Sequence, residues 1–237
     1  MTPLSETLSS DGSPEDRARA LLVQRLEADV ITPLRRRGFR RHALLGLART
    51  TSEGMMHWLR MRGDRNGNIV LAGGIWPAFM APADRIGGPT LNVDSSEIGI
   101  INLAQATPDD IAQYARTMGR VIDERLIAWF DRLGSVAAMA HAFTDRTASL
   151  RSFYMPPWDD FEAGFIFMAL GRLDFAQSYF EVARDAFRQS GKGWATLPAT
   201  ICDDALRHLA QGPEAVEQFL KMNRKDIVAT WTLTPFA

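Results

Sequence analysis

The stretch Met55-Met56-His57-Trp58-Leu59-Arg60-Met61-Arg62 decides the fold class. Side chains alternate along a strand, so it places Met55, His57, Leu59 and Met61 on one face and Met56, Trp58, Arg60 and Arg62 on the other. Both flanks have hairpin chemistry. Ser52-Glu53-Gly54 precedes it, and Asp64-Arg65-Asn66-Gly67 follows it with the Asn-Gly pair that tolerates positive φ angles. Outward lie two more strand-like runs, Phe39 to Thr51 and Asn68 to Trp76. The spacing predicts an antiparallel meander of about four strands, with Leu91 to Val93 and Ile98 to Leu103 as short additions. Pro77 to Pro89 reads as a loop from its Pro and Gly content.

Helices are expected on either side. Ser13-Pro14-Glu15-Asp16 has the order cap, proline, acid, acid of a helix start. Leu22, Leu26, Val30 and Leu34 follow as an apolar stripe, and Gly38 is placed to stop the helix in a left-handed conformation. Arg35 to Arg37 then fall in the last turn, where cations meet the negative end of the helix dipole. Pro33 inside the stripe predicts a kink or an earlier stop. Thr107-Pro108-Asp109-Asp110 repeats the start signal and opens a long helix to about Leu133, followed by a short one from Val136 to Phe143. Helical patterns fill Trp158 to Leu170, Asp174 to Gln189, Pro198 to Gln211 and Pro213 to Asn223, with Val228 to Leu233 expected as an edge strand. Residues 169–183 resemble a single tetratricopeptide-style turn, in which the small Gly171, Ala176 and Ala183 would let two helices approach closely. A solenoid needs about three such units, so the expectation is a lone helical hairpin packed on its neighbours.

The fold expected is therefore α+β: an N-terminal helix, an antiparallel meander packed by a long helix, and a C-terminal helical extension. Its divisions are a disordered start at 1–13, an α+β domain at 14–143, a linker at 144–157 around Pro156-Pro157, and a helical region at 158–237. That last region could pack as one unit with the first domain.

Composition narrows the setting. Of 237 residues, 46% are hydrophobic and 23% charged, which are globular proportions. No apolar run reaches the roughly 18 residues of a membrane span, and the first residues lack the basic and apolar regions of a secretory signal. A single cysteine, Cys202, permits no internal disulfide and fits a reducing cytoplasm. Only three of the 27 basic residues are lysines, a bias expected of a GC-rich bacterial genome. The net charge is −1, yet residues 35–65 hold nine arginines against Glu53 and Asp64, a local net of +7. Such a region could attract an anionic partner, or be neutralised by the acidic helices that follow.

Residues 15–143 resemble a bacterial family known as domain of unknown function 4304. The likeness rests on the helix ending in Ile31-Thr-Pro-Leu-Arg-Arg-Arg-Gly-Phe39, the strands after it, the helix ending Leu126-Ile-Ala-Trp-Phe-Asp-Arg-Leu133, and the short helix at Val136 to Phe143. It covers a little over half of the chain. The loop at Pro77 to Pro89 and the helices after Trp158 are less typical of it. The resemblance implies an α+β fold and carries no activity, cofactor or catalytic residue.

Motifs for chemistry are sparse. His42, His57, His141 and His208 show no metal-ligand spacing, and Asp204 with His208 reads as a solvated pair on one helix. Cys202 beside Asp203 has the wrong electrostatics for a thiolate nucleophile and reads as buried and structural. Nucleophile-elbow and phosphate-loop patterns are missing. Asp159-Asp160 with Glu162 fall in a helix's first turn, where acids are expected anyway. No catalytic, metal-binding or cofactor-binding residue is assigned.

What remains is the basic sheet surface. Antiparallel sheets can leave one face uncovered, and Trp58, Arg60 and Arg62 share a face, with Arg40, Arg41 and Trp76 as further candidates for partner binding and Arg49 as an alternative. Aromatic plus arginine is the composition of interface anchors and of single-stranded nucleic-acid platforms. The plainer possibility buries Trp58 and pairs the arginines with acids of the helix at 107–133. The functional expectation is a non-catalytic cytoplasmic protein-binding module, in one form an immunity-type protein neutralising a toxin. The alternatives are a nucleic-acid-associated protein using residues 35–65 and an enzyme whose pocket lies at the loop Pro77 to Pro89. Another protein is the expected partner, with nucleic acid second and no membrane. Nothing in the sequence sets an oligomeric state.

Overall fold

A computed structural model of the chain describes residues 13–42, 46–63, 69–80, 89–145 and 156–231. Its first helix, α1 (14–36), starts with a capping box. The Ser13 hydroxyl accepts the Asp16 N–H at 3.2 Å, and the Asp16 carboxylate accepts the Ser13 N–H at 3.1 Å. Thr107 and Asp110 repeat the device at the start of the long helix α3 (108–133). Hydrogen bonds from Ser13 and Thr107 hold both carboxyls below their usual range.

Pro33 shapes the middle of α1. It has no N–H to offer the Asp29 carbonyl four residues back, and its ring would crowd that oxygen. The helix therefore widens into a π-helical turn at Glu27–Ile31, where the Thr32 N–H reaches back five residues to Glu27, before a last α-helical turn at Thr32–Arg36. The freed Asp29 carbonyl faces Gly119 of α3 so closely that an added Cβ would stand 2.8 Å from it. Gly38, at φ 91°, ends the helix. Its N–H bonds to Arg35 O and the next N–H, of Phe39, bonds back to Leu34 O, both at 3.0 Å. Phe39 enters the core fully buried.

The sheet follows, and here one expectation is corrected. The run from Phe39 to Thr51 is not one strand but a hairpin, β1 (Arg40–His42) and β2 (Gly46–Thr50), paired with Arg41 opposite Leu47. Gly46, at φ 81°, lies so tightly under the β3 backbone that a Cβ would meet Leu59 O at 2.8 Å. β3 (Met55–Gly63), β4 (Ile69–Pro77) and β5 (Thr90–Val93) complete a five-stranded antiparallel sheet in sequential order. Ile98 to Leu103 adds no strand. Asp94 caps a single helical turn, α2 (Ser95–Ile98), which Gly99 ends at φ 93°, and irregular chain runs on to α3.

Cross-strand register assigns the two faces. Arg41, Leu47, Leu59 and Gly73 share the face under α3, with Arg49, His57 and Ile75 one step along. Gly73 has no side chain, which lets Leu126 and Phe130 of α3 come within about van der Waals reach of the strand. Arg40, Ala48, Trp58 and Gly74 share the opposite face, with Thr50, Met56 and Trp76 towards one end of it.

The rest is helical: α4 (Val136–Asp145), α5 (Trp158–Ala169), α6 (Leu173–Gln189), α7 (Thr196–Gln211) and α8 (Pro213–Trp231). The expected lone hairpin is in fact two in succession, because α6 packs on both α5 and α7 and α8 packs on α7. Ala176 and Ala183 are buried in these contacts as expected, but Gly171 is not. It forms the turn at φ 70°, while the close approach occurs at Gly164, where a Cβ would meet the Phe180 ring at 2.8 Å. Val228 to Trp231 continues α8 rather than forming an edge strand.

The β2–β3 turn ties these helices to the sheet. Glu53 accepts the Val136 N–H at the start of α4 at 2.8 Å, and Arg224 of α8 donates to Ser52 O at 3.4 Å. Buried apolar side chains of the sheet and the helices form one contiguous cluster. The expected disordered start, the Asn66-Gly67 turn, most of the loop Pro77 to Pro89 and most of the linker lie outside the described residues. Among the described residues, no helix is long and apolar enough to cross a membrane.

The α1–α3 crossing yields a test of sign. An exposed helical glycine replaced by alanine gains up to about 1 kcal/mol from propensity, but at Gly119 the methyl would meet the Asp29 carbonyl. Gly119→Ala is expected to lose about 1–3 kcal/mol in urea unfolding. A gain in stability would show that the crossing is loose.

Candidate functional site

Among the described residues, the sheet's second face is only half covered. At one end Thr50, Met56 and Trp76 are buried, where α5 packs against β4. At the other end Trp58 is half-buried, Val70, Ala72 and Thr90 are half-buried, and Arg40, Arg60 and Asn92 are exposed. Trp58 lies flat against β4, since a Cβ on Gly74 would fall 2.3 Å from its indole ring. Its Nε1 finds no hydrogen-bond acceptor among the described residues. Arg60 has Gly46 on one side, whose would-be Cβ is 3.4 Å from the Arg60 Cα, and Ala72 on the other. It makes no ion pair among the described residues.

Of the residues singled out from sequence, the fold brings Arg40, Trp58 and Arg60 onto this half-face. Arg40 donates to the carbonyls of Arg35 and Phe39, both at 3.1 Å. Arg41 is not there. As the neighbour of Arg40 on β1 it points to the other face, opposite Leu47 on the α3 side, and pairs with Glu27 at 3.4 Å. Trp76 points to the same side as Trp58 but at 1% exposure presents nothing to a partner. Arg62 pairs with Val70 in the ladder, and its side chain lies outside the described ones.

The covered face holds a polar centre that sequence reading passed over. Arg49, on β2, donates from Nε to His57 Nδ1 at 3.1 Å and from Nη1 to Arg37 O at 3.1 Å, with Asp131 of α3 at 3.5 Å. Its guanidinium also sits 4.8 Å from the Phe39 ring centroid. His57 stacks on Phe130 at 4.8 Å, nearly parallel, and its Nε2 faces the backbone of Gly134. At 2% exposure, burial first and then the Arg49 charge push its pKa down to about 3, so the ring is neutral. The signal was present: His57 alternates with Met55, Leu59 and Met61, all apolar.

Several arginines of the basic cluster are thus absorbed by acids of the fold. Arg35 and Arg41 both pair with Glu27, Arg37 pairs with Asp123 of α3 at 3.4 Å, and Arg49 pairs with Asp131.

Other candidates for chemistry resolve into structure. Cys202 is fully buried, and burial followed by the Asp203 carboxylate pushes its thiol up to about 12. His208 is not half of a solvated pair. It stacks on Phe219 at 4.6 Å, while Asp204 pairs with Arg207. Asp159 and Asp160 occupy the first turn of α5 as expected, whereas Glu162 is buried at 3% exposure. Among the described residues no three His, Cys, Asp or Glu side chains are grouped to hold a metal.

A cavity of about 380 Å³ lies between the 98–106 segment and α3, but Asn102 there is bonded to Gln105 and the Ala104 N–H, and Asp110 to its cap. Another, of about 410 Å³, lies at the α6–α7 turn, where Asp203 pairs with Arg188 at 2.7 Å. The loop that motivated an enzyme reading has residues 81–88 outside the described ones.

No family model, curated protein or solved structure matches the chain. The expected likeness to domain of unknown function 4304 gains no support from these comparisons.

Two outcomes follow from the buried groups. His57 ordinarily titrates near 6.5 and here near 3, so between those values the unfolded chain binds a proton that the folded one does not. Stability is full above about pH 6.5 and falls on acidification, by up to about 1.4 kcal/mol per pH unit from this group. Urea midpoints from pH 7 to 5 should therefore decline more steeply for the native protein than for His57→Gln, and equal slopes would exclude a neutral buried histidine. Cys202 should resist Ellman's reagent at pH 8 until urea unfolds the chain; prompt labelling of folded protein would contradict its burial.

Proposed function

We propose that this protein is a non-catalytic binding protein that engages another protein through the uncovered half of its sheet. The observation that carries the reading is Trp58, laid flat and half-exposed beside the exposed Arg60. Tryptophan and arginine are the residues that most often dominate the energy of protein interfaces. They stand out here because arginines elsewhere in the cluster are spent on internal pairs with Glu27, Asp123 and Asp131. Those same pairs weigh against a nucleic-acid grip, which needs basic charge left over for phosphates. One form of the reading is an immunity-type protein that neutralises a toxin, for which occlusion by a rigid complementary face suffices. A single cysteine and the arginine bias fit a bacterial cytoplasm as the proposed setting.

Affinity capture from lysate of the source organism tests the reading, using the native protein, Trp58→Ala and Arg60→Glu, each with its fold checked by circular dichroism. A partner retained by the native protein should be lost with Trp58→Ala, and Arg60→Glu gives a second readout on a surface position that leaves the core alone. An identical set of retained proteins for all three would refute binding through this face.

A further inference from the structure

The uncovered half-face is uniform in the sign of its charge. One row across the strands runs Arg40, Ala48, Trp58, Gly74 and Thr90. The next carries Arg60, Ala72 and Asn92 beside Gly46. No described side chain in either row is acidic. Neither Gly46 nor Ala72 carries a side-chain acceptor, and among the described residues Arg60 makes no ion pair. This contrasts with Arg49 on the covered face, whose guanidinium meets an imidazole, a carbonyl and a carboxylate within the fold.

We infer that the occupant of this half-face is an acidic segment of a partner protein, with a carboxylate on Arg60 and an apolar group over Trp58. The inference rests on the binding function proposed above and adds the partner's chemistry. A carboxylate matches the guanidinium fork with two parallel hydrogen bonds, a geometry lysine does not offer. Arg40 and Arg60, with no acidic side chain beside them among the described residues of these two rows, would steer such a segment to this half-face. A single-stranded nucleic acid is disfavoured because it stacks successive bases on successive rings. Trp58 is the only aromatic side chain in these rows among the described residues.

Fluorescence anisotropy on the full chain tests this, with a fluorescein-labelled glutamate-rich peptide containing interspersed leucines and an oligouridylate of equal charge. The peptide should bind, more weakly as salt is raised, and Arg60→Glu should weaken it at least about tenfold. Arg25→Glu makes the same charge change on α1 and should leave binding within about twofold, which separates a local contact from bulk charge. Absence of peptide binding, equal weakening by the two variants, or oligouridylate bound as tightly as the peptide would each overturn the inference. If a captured natural partner then still depends on Trp58, the binding function survives and only the acidic partner is lost. If that dependence fails too, both fall.

Discussion

Arg49 is the point at which three parts of the fold meet. A guanidinium on the face of a sheet that a helix covers must find acceptors there, because leaving a buried charge unpaired costs several kcal/mol. The acceptors come from separate elements: the carbonyl of Arg37 at the end of α1, the His57 ring on β3, and Asp131 near the end of α3. Phe39 contributes the face of its ring. The ends of α1 and α3 are thereby held at fixed positions over the sheet. Burial makes His57 neutral in the first place, and the same contact reinforces it, since a protonated ring would face Arg49 with like charge.

Much of this architecture was legible because local chemistry and global fold agree. Ser13 and Thr107 announced their helices, Gly38 stopped one, and the alternation through Met55 to Arg62 separated the two faces of the sheet correctly. The failures have physical causes. The β1–β2 hairpin was missed because the sequence between its strands, Ala43-Leu44-Leu45, holds no Asn, Asp or Pro to mark a reversal, and only Gly46 hints at one. Arg41 was assigned to the wrong face for a different reason: it is adjacent to Arg40 on β1, and neighbours along a strand point to opposite faces, so the two could not share one. Trp76 was assigned to the right face, but periodicity cannot tell which half of a face a distant helix will cover. Val228 to Trp231 reads as β-rich by propensity and is helical because α8 continues through it, a tertiary override of a weak local preference.

The arginine cluster illustrates how a count misleads where a contact does not. Nine arginines within 31 residues suggest a polyanion grip, yet the fold spends four of the described ones on acids that lie far away in sequence or on the preceding helix. What distinguishes Arg60 is its place on the sheet between Gly46 and Ala72, with no ion pair among the described residues. Smallness decides the covered face, where Gly73 admits α3 and Gly119 admits α1.

Gly74 has the mirror role on the open face. Because it has no Cβ, the Trp58 ring can lie directly on the backbone of β4, in space that any other residue at 74 would fill. Immobilising a free, rotamer-rich side chain at an interface usually costs on the order of 0.5–1.5 kcal/mol at the moment of association. For Trp58 part of that loss is already taken when the ring is seated on β4. Under the proposed binding role, specificity would then lie in shape and charge at this aromatic shelf more than in adaptation of the ring.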